Sequence, residues 1–237
     1  MNNILLTIAA RGGSKGVKNK NIRELCGMPL IAHTILQAQQ WGKASKIICS
    51  TDSHEIAEIA KHYGALVPFV RPSELAQDTT GKIDVLRHAV KTIEQLDKRQ
   101  YETIVDLDVT APIRKISDID NAVQLFLTKR PDSVVSVTPA HRNPYFNMLE
   151  VKKDGFVDLV KKLDFPVKRR QDAPVVYDMN ASIYVYDRKF LLSEETKTAI
   201  SHRSLVWVME EWSAFDIDSE HDFQFIEFLL SKELVTL

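Results

Sequence analysis

Cysteine is scarce in this chain. Cys26 and Cys49 are the only two among 237 residues, which excludes a disulfide framework and any zinc-type ligand spacing. Cys49 lies in the apolar run Lys46-Ile47-Ile48-Cys49-Ser50-Thr51 and reads as a buried thiol. An excess of charge is missing as well. The 31 basic residues face 32 acidic ones, a formal net charge of −1. Nothing therefore draws nucleic acid or an anionic membrane to the whole molecule, and any anion site must be a local cluster. No apolar run approaches the roughly 18–20 residues that span a bilayer. Met1 to Ala10 has neither the length nor the basic lead of a signal peptide, so a cytoplasmic protein is expected. Repeats, low-complexity tracts and interdomain linkers are lacking too, which leaves one domain over 1–237. At 44% hydrophobic, the chain has enough apolar surface for one sizeable core.

What is present is an alternation of short apolar runs and amphipathic stretches. Ile4 to Ala9 reads as a buried strand. Pro29 opens a helix with Leu30, Ile31, Ile35 and Ala38 on its apolar face. Ile47-Ile48-Cys49 is a second strand, and Ser53 to Tyr63 a helix stopped by Gly64. Leu66 to Val70 is a third strand, edge-like or irregular because of Pro68. Ile83, Leu86, Val90, Ile93 and Leu96 make a helical stripe, and Thr103 to Leu107 is a strand. Ser117 with Asp120 is expected to cap a helix running to Lys129, before a strand at Ser133 to Val137. This order implies a mostly parallel sheet with helices on both faces. The pattern breaks over 139–180, with Pro139, Pro144, Pro166 and Pro174 and a hairpin turning at Asp154-Gly155. That stretch reads as an insertion that covers a ligand or pairs with a second subunit. Strands return at Ala181 to Tyr186 and Leu205 to Met209. Ser219 with Asp222 caps a last helix whose apolar face carries Phe223, Ile226, Phe228 and Leu229.

After the first strand comes Ala9-Ala10-Arg11-Gly12-Gly13-Ser14-Lys15-Gly16-Val17-Lys18-Asn19-Lys20-Asn21. Three glycines let the backbone bend around a ligand and aim N–H groups at it. Arg11, Lys15, Lys18 and Lys20 add cations, arginine as a bidentate phosphate grip and lysine as a movable point charge. The position suits ligand binding in an open α/β sheet. A basic surface turn is the plainer reading of the same residues. The Walker pattern is absent, and adjacent Gly12 and Gly13 break the dinucleotide spacing.

Two pairs of carboxylates stand out. In Phe215-Asp216-Ile217-Asp218-Ser219, extended backbone would put Asp216 and Asp218 on one side. That suits magnesium, which favours hard oxygens and keeps waters and substrate phosphates. Alternatively Asp218 or Ser219 only caps the helix. Asp106 and Asp108 close another strand, where one of them could belong to a site or brace a loop. Asp52 and Ser53 read as a helix cap. His33 and His88 fall in helical patterns and read as packed or solvated.

Taken in order, several segments resemble the CMP-sialic acid synthetases, the acylneuraminate cytidylyltransferases. They are Ala10 to Gly16, Lys20-Asn21, Arg71-Pro72, Leu75 to Thr79, Thr110 to Arg114, Asn180 to Tyr184 and Asp216-Ile217-Asp218. The resemblance covers essentially the whole chain. Arg142 to Asn147 and Tyr177 to Ser182 resemble the bacterial CMP-legionaminic acid synthetases within that family. The resemblance implies a three-layer α/β/α fold of the nucleotide-diphospho-sugar transferase type, with a mostly parallel, Rossmann-like sheet. It also implies a small dimerisation insertion at 139–180, with a partner subunit reaching over the sugar site.

The resemblance further implies that Ala9, Arg11, Gly12, Ser14, Lys15, Asn21, Arg71, Ala76 and Thr79 bind the nucleotide of CTP. Arg11 and Lys20 would face its phosphates, and Asp216 and Asp218 would hold Mg2+. Asp108, Arg170, Gln171, Tyr177, Asp178 and Asn180 would surround an acidic nine-carbon sugar. Asp108 stands where sialic-acid members often carry Gln, and Asp178 where they often carry Arg, which favours a legionaminic-type sugar. The implied reaction is attack of the sugar's anomeric hydroxyl on the α-phosphorus of CTP, with pyrophosphate leaving. Arg11, Lys20, Asp216 and Asp218 would be catalytic, and Asp108 is one candidate for the general base. Rival readings are a synthetase for pseudaminic or sialic acid, a nonenzymatic nucleotide-sugar-binding module, and a dinucleotide oxidoreductase. The glycine spacing speaks against the last.

Overall fold

A computed structural model describes residues 3–14 and 16–237. Strand β1 (Ile4–Ala9) leads through a loop and a 3-10 turn (Lys20–Ile22) to a small hairpin, β2 (Glu24–Leu25) and β3 (Met28–Pro29). Helix α1 (Leu30–Trp41), β4 (Lys46–Ser50), α2 (His54–His62), a 3-10 turn (Ser73–Leu75) and α3 (Lys82–Asp97) follow. Next come β5 (Thr103–Leu107), α4 (Ile116–Lys129) and β6 (Ser133–Pro139), then a hairpin of β7 (Leu149–Val151) and β8 (Val157–Leu159). A 3-10 turn (Arg170–Asp172), β9 (Tyr177–Asp187), α5 (Arg188–Leu192), β10 (Leu205–Val208), another 3-10 turn (Glu211–Ala214) and α6 (Glu220–Ser231) complete the chain.

The main sheet has the order β10-β6-β9-β5-β1-β4. β4, β1 and β5 are mutually parallel, as are β10 and β6, while β9 runs antiparallel to both β5 and β6. The expected mostly parallel sheet is thus present, with one reversed strand. Alternation along β1 explains the layers. Ile4, Leu6 and Ile8 enter the core shared with α1, α4 and α6, and Leu5 enters the core under α3 and α5. Each of these fully buried side chains contributes ~1.5–3 kcal/mol. From β1 the chain crosses to β4 on one side and later to β5 on the other. The loop after β1 therefore lies at the point where the strand order reverses, the ligand-binding crevice of open α/β sheets. Because β9 is antiparallel, its first residues lie at the same sheet end as the last residues of β5 and β6.

Several expectations need correction. Ser117 and Asp120 do not cap α4. The helix starts after Lys115, whose N–H donates to the Asp118 carboxylate at 3.0 Å, and Asp120 instead accepts from the Trp41 indole at 3.1 Å. Leu66 to Val70 makes only a single bridge, Leu66 to Ile48, because Pro68 cannot donate to a ladder. Leu96 and Phe228, read as core, are 58% and 50% exposed. β9 begins four residues earlier than Ala181, so the end of the 139–180 segment is built into the sheet by pairing of Tyr177–Met179 with Val137–Pro139. The hairpin at Asp154-Gly155 is present, with Gly155 at φ 85°. Among the described residues, no helix is long and apolar enough to cross a membrane.

Candidate active site

The loop after β1 is held from both sides. Ala9 pairs with Ser50 in the ladder, and the Ala10 N–H donates to the Ser50 carbonyl at 3.0 Å. The Gly12 N–H donates to Asp52 Oδ1 at 3.0 Å, so Asp52 braces this loop while Ser53 caps α2. Buried Asn21 closes the loop by donating to the Arg11 carbonyl at 2.9 Å. Ser14 is half-buried, with its N–H on the Gly12 carbonyl at 3.2 Å. The glycines differ in what they permit. A Cβ on Gly13 would meet nothing within 4 Å, but one on Gly16 would stand 1.9 Å from the Asp218 carbonyl oxygen. Gly16 is thus the glycine that lets the loop touch the chain around Asp216 and Asp218. Lys15 lies outside the described residues.

Arg11 reaches across to Asp78 at 2.5 Å, tying the loop to the turn that carries half-buried Ala76 and exposed Thr79. Arg71, 5% exposed, runs back under β4, where its Nε donates to Ser50 Oγ at 3.1 Å and its guanidinium to the Ser50 carbonyl. Ala9, Arg11, Gly12, Ser14, Asn21, Arg71, Ala76 and Thr79 therefore gather around the ends of β1 and β4. Arg71 does so chiefly as a brace.

The second wall is the Asp216–Asp218 segment. Ile217 is fully buried between its half-buried and exposed neighbours, so Asp216 and Asp218 face away from the core together. Its N–H donates to the Thr110 carbonyl at 2.8 Å, and its carbonyl accepts from Lys20 Nζ. Lys20 also lies 3.3 Å from Asp218 Oδ1. The helix cap belongs elsewhere. Ser219 caps α6, and the Asp222 carboxylate accepts from the Asp218 and Ser219 N–H groups at 3.1 and 2.7 Å. Burial, then Asp218 and Asp108, push the Asp216 carboxyl up to about 6. Two crowded carboxylates beside a phosphate-type loop fit a magnesium ion that takes its remaining oxygens from phosphate and water. Among the described residues, no group of three or more His, Cys, Asp or Glu side chains comes together as a metal cluster.

Between the two walls, at the end of β5, Asp106 and Asp108 meet a lysine that sequence reasoning missed. Lys82, the first residue of α3, contacts Asp106 Oδ2 at 3.1 Å and Asp108 Oδ2 at 2.6 Å. Its ammonium sits 4.5 Å from the centre of the Tyr184 ring. Asp106 accepts from Thr7 Oγ1 at 2.7 Å on its other oxygen. Asp108 Oδ1 takes the Thr110 N–H and hydroxyl, both at 3.1 Å. Buried Arg114 donates to the Ser182 carbonyl at 2.7 Å and to the Asp108 carbonyl. Burial alone would raise the Asp108 carboxyl. Lys82, through charge and hydrogen bond, outweighs it together with the Thr110 N–H and Arg114, and brings it down to about 2. One sequence signal pointed to Lys82: a lysine in the first turn of a helix runs against the macrodipole, which calls for a local anion.

Comparison with known proteins decides the family. The cytidylyltransferase family model matches residues 5–230. The chain belongs to the cytidylyltransferase family. It is 46% identical over 233 residues to the post-translational flagellin modification protein B of Campylobacter coli, covering 98% of this chain and 97% of that protein. It is also 46% identical to a CMP-N,N'-diacetyllegionaminic acid synthase of Campylobacter jejuni, covering 98% and 96%. Among solved structures, a CMP:2-keto-3-deoxy-manno-octonic acid synthetase complexed with CTP superposes with a TM-score of 0.69 at 15% identity, covering 97% of this chain and 99% of that one. That likeness establishes the shared fold.

Within this cytidylyltransferase, the residues assigned to the sugar divide into two sets. Asp108 sits at the centre of the site. Arg170 and Gln171, in a 3-10 turn, and Tyr177 and Asp178, at the start of β9, are all exposed. Asp178 does not pair with Arg170. It accepts from the His141 N–H at 3.3 Å, and Arg170 donates to the neighbouring Ala140 carbonyl. Asn180 is 4% exposed and its amide is spent internally, accepting from Ser136 Oγ at 2.6 Å and donating to the Ser213 carbonyl at 3.0 Å. In this structure it joins β6 and β9 to the turn before Asp216 and presents no free polar atom to a ligand. Next to it, Ala181 takes a left-handed φ of 53° at the register shift between β6 and β9. That kink brings the Ser182 carbonyl onto Arg114 and the Asp108 N–H. His33 is buried against the Leu25 carbonyl at 2.9 Å and His88 packs on Phe69, which leaves both outside the site.

Proposed function

We propose that this cytidylyltransferase transfers CMP from CTP to the anomeric hydroxyl of a nonulosonic acid of the legionaminic type and releases pyrophosphate. The observation that carries the reading is the contact of the two walls. Gly16 of the phosphate loop packs on the Asp218 backbone, and Lys20 of the same loop bonds the carbonyl between Asp216 and Asp218. A phosphate grip and a carboxylate pair are thereby built as one unit. A module that only bound a nucleotide sugar would have no use for that arrangement. The sugar assignment is supported by the 46% identity to a protein named for N,N'-diacetyllegionaminic acid.

Asp216 and Asp218 would hold magnesium, which when bound neutralises phosphate charge and fixes the α-phosphoryl group for in-line displacement. The chain's own residues do the rest. Arg11 and the Gly13 N–H, the one donor of the Gly12–Ser14 backbone not bonded within the loop or to Asp52, seat the triphosphate, and Lys20, next to Asp218, offsets the charge that grows on departing pyrophosphate. The ribbon over 139–180 is proposed to make the enzyme a homodimer. Val151, Phe156 and Val175 are 75%, 72% and 78% exposed there, an apolar surface that a second copy would cover. A pyrophosphate-release assay with CTP, magnesium and a panel of nonulosonic acids tests the whole reading. The N,N'-diacetyllegionaminate specificity constant should exceed those for N-acetylneuraminate and pseudaminate. Equal constants, or a preference for either rival, would move the assignment to another acid, and no turnover with any would end it.

A further inference from the structure

We propose that Lys82 is a positioning residue for the sugar: it locks Asp108 as a charged hydrogen-bond acceptor that receives an N–H or O–H of the sugar, and so withdraws Asp108 from proton transfer. The inference rests on the nonulosonate reading above and adds to it a residue and a division of labour.

The contacts around the pair leave one opening. A carboxylate offers about four lone-pair positions. Asp108 Oδ1 has two filled by Thr110, and Oδ2 has one filled by Lys82. The remaining position belongs to a side chain that is 19% exposed, at the sheet end where the two walls of the site meet. The lysine is equally committed. Its donors go to Asp106 and Asp108, with the Tyr184 ring against the ammonium. Asp106, whose side chain is 1% exposed, cannot turn away, because Thr7 on β1 holds its other oxygen. Lys82 is thus fixed by the sheet and cannot swing out to a phosphate without stranding buried Asp106 and half-buried Asp108.

Charge-assisted bonding to an ammonium at 2.6 Å makes Asp108 a poor base, because an effective general base has a pKa near the working pH. The carboxyl held at about 2 agrees with the geometry. What such a group does well is accept. It cannot donate, so it selects for a donor on the sugar. The same network reaches the metal-side wall, since Asp108 holds Thr110 and the Thr110 carbonyl holds the Ile217 N–H. A sugar anchored on Asp108 is therefore referenced to the segment that carries Asp216 and Asp218.

The test is a steady-state comparison of wild type, Lys82→Met, Lys82→Arg, Asp108→Asn and the double variant Lys82→Met/Asp108→Asn, with CTP binding measured by calorimetry as a check on the fold. Wild-type turnover in the same series reports on the parent reading, so the two cannot fail indistinguishably. Asp108→Asn and Lys82→Met should raise the KM for the sugar roughly 10–100-fold, the loss of a charge-assisted hydrogen bond. kcat at saturating sugar should stay within a few-fold and CTP affinity should be unchanged. Lys82→Arg should recover part of the KM. The double variant strands Asp106 but not Asp108 and should be no worse in KM than the worse single variant, and Asp108→Asn, which keeps Lys82 on Asp106, stands in if the Lys82→Met variants fold poorly. A collapse of kcat in Asp108→Asn with unchanged KM would make Asp108 the base and overturn the proposal, as would a wild-type sugar KM in Lys82→Met or in the double variant.

Discussion

Gly16 shows how much of this site depends on one missing carbon. With a Cβ 1.9 Å from the Asp218 carbonyl oxygen, Gly16→Ala must push the loop off the carboxylate segment. A displacement on the scale of 1 Å can cost roughly 100-fold in rate. We expect Gly16→Ala to lose about that much in kcat/KM for CTP while Gly13→Ala, which meets nothing within 4 Å, stays near wild type. Similar losses in both variants would mean that the contact does not organise the site. Asp218→Asn separates chemistry from folding at the same place. Asp222 and Ser219 make the α6 cap, so the melting temperature should hold. Turnover at limiting magnesium should fall by orders of magnitude because the ion loses a charged ligand. Near-normal turnover there would remove Asp218 from the metal site. The two cysteines need no such role. Burial pushes the Cys49 thiol to about 12 against the pull of Arg71, and Cys26 lies exposed in the β2–β3 turn.

At the scale of elements, β5, α3 and the loop to α4 are joined by the Lys82–Asp108 pair, and this gives a pH signature. The Asp108 carboxyl sits at about 2 in the fold against an ordinary 3.8, so its pKa is depressed on folding. Its contribution is therefore complete above pH 3.8 and is lost as pH falls toward 2. The shift corresponds to about 2 kcal/mol. We expect wild type to exceed Asp108→Asn by that order in unfolding free energy at pH 7, with the gap narrowing below pH 4. A gap that stays constant from pH 7 to 3, measured by denaturant unfolding, would show that the carboxylate's charge is not what matters. The same region marks the limit of what sequence reveals. β1 and β5 were legible because continuous apolar runs have few alternatives, and Asp216 and Asp218 because period-two alternation about Ile217 is a local property. Lys82 meeting Asp108 across α3 and β5, Asp52 meeting Gly12, and Asn180 turned into the protein are long-range pairings that no local period encodes. The α4 cap was misplaced because Ser117 and Asp120 fit the capping pattern while Lys115 has no acceptor to show one; in the fold Asp120 is taken by the Trp41 indole, and Asp118 accepts from the Lys115 N–H and the Trp207 indole.

For the whole molecule the open question is how Arg170, Gln171, Tyr177 and Asp178 reach a sugar. They are exposed at the start of β9 and in the turn before it, and none of them bonds to Asp108, Asp216 or Lys20. A closed twofold dimer resolves this if each ribbon serves the opposite subunit's site, since the same surface is then presented twice. Complementation gives a decisive reading. Arg170→Ala damages only the ribbon, and Asp218→Asn damages only the core of the site, so each homodimer should be nearly inactive. Mixed after reversible dissociation, about half of the dimers become hybrids. If ribbons act in trans, one of the two sites in each hybrid combines an intact ribbon with an intact Asp218, and the other carries both lesions. Activity should then return to about a quarter of the wild-type level. If each ribbon served its own subunit, every site in the mixture would keep one lesion and no activity would return. A mass of one chain at micromolar concentration with full turnover would refute the dimer outright. Val175→Asp, which puts a charge on a residue 78% exposed in the single chain, should produce a monomer that loses sugar turnover but still binds CTP, because the residues proposed to bind the nucleotide gather around β1 and β4 of a single subunit.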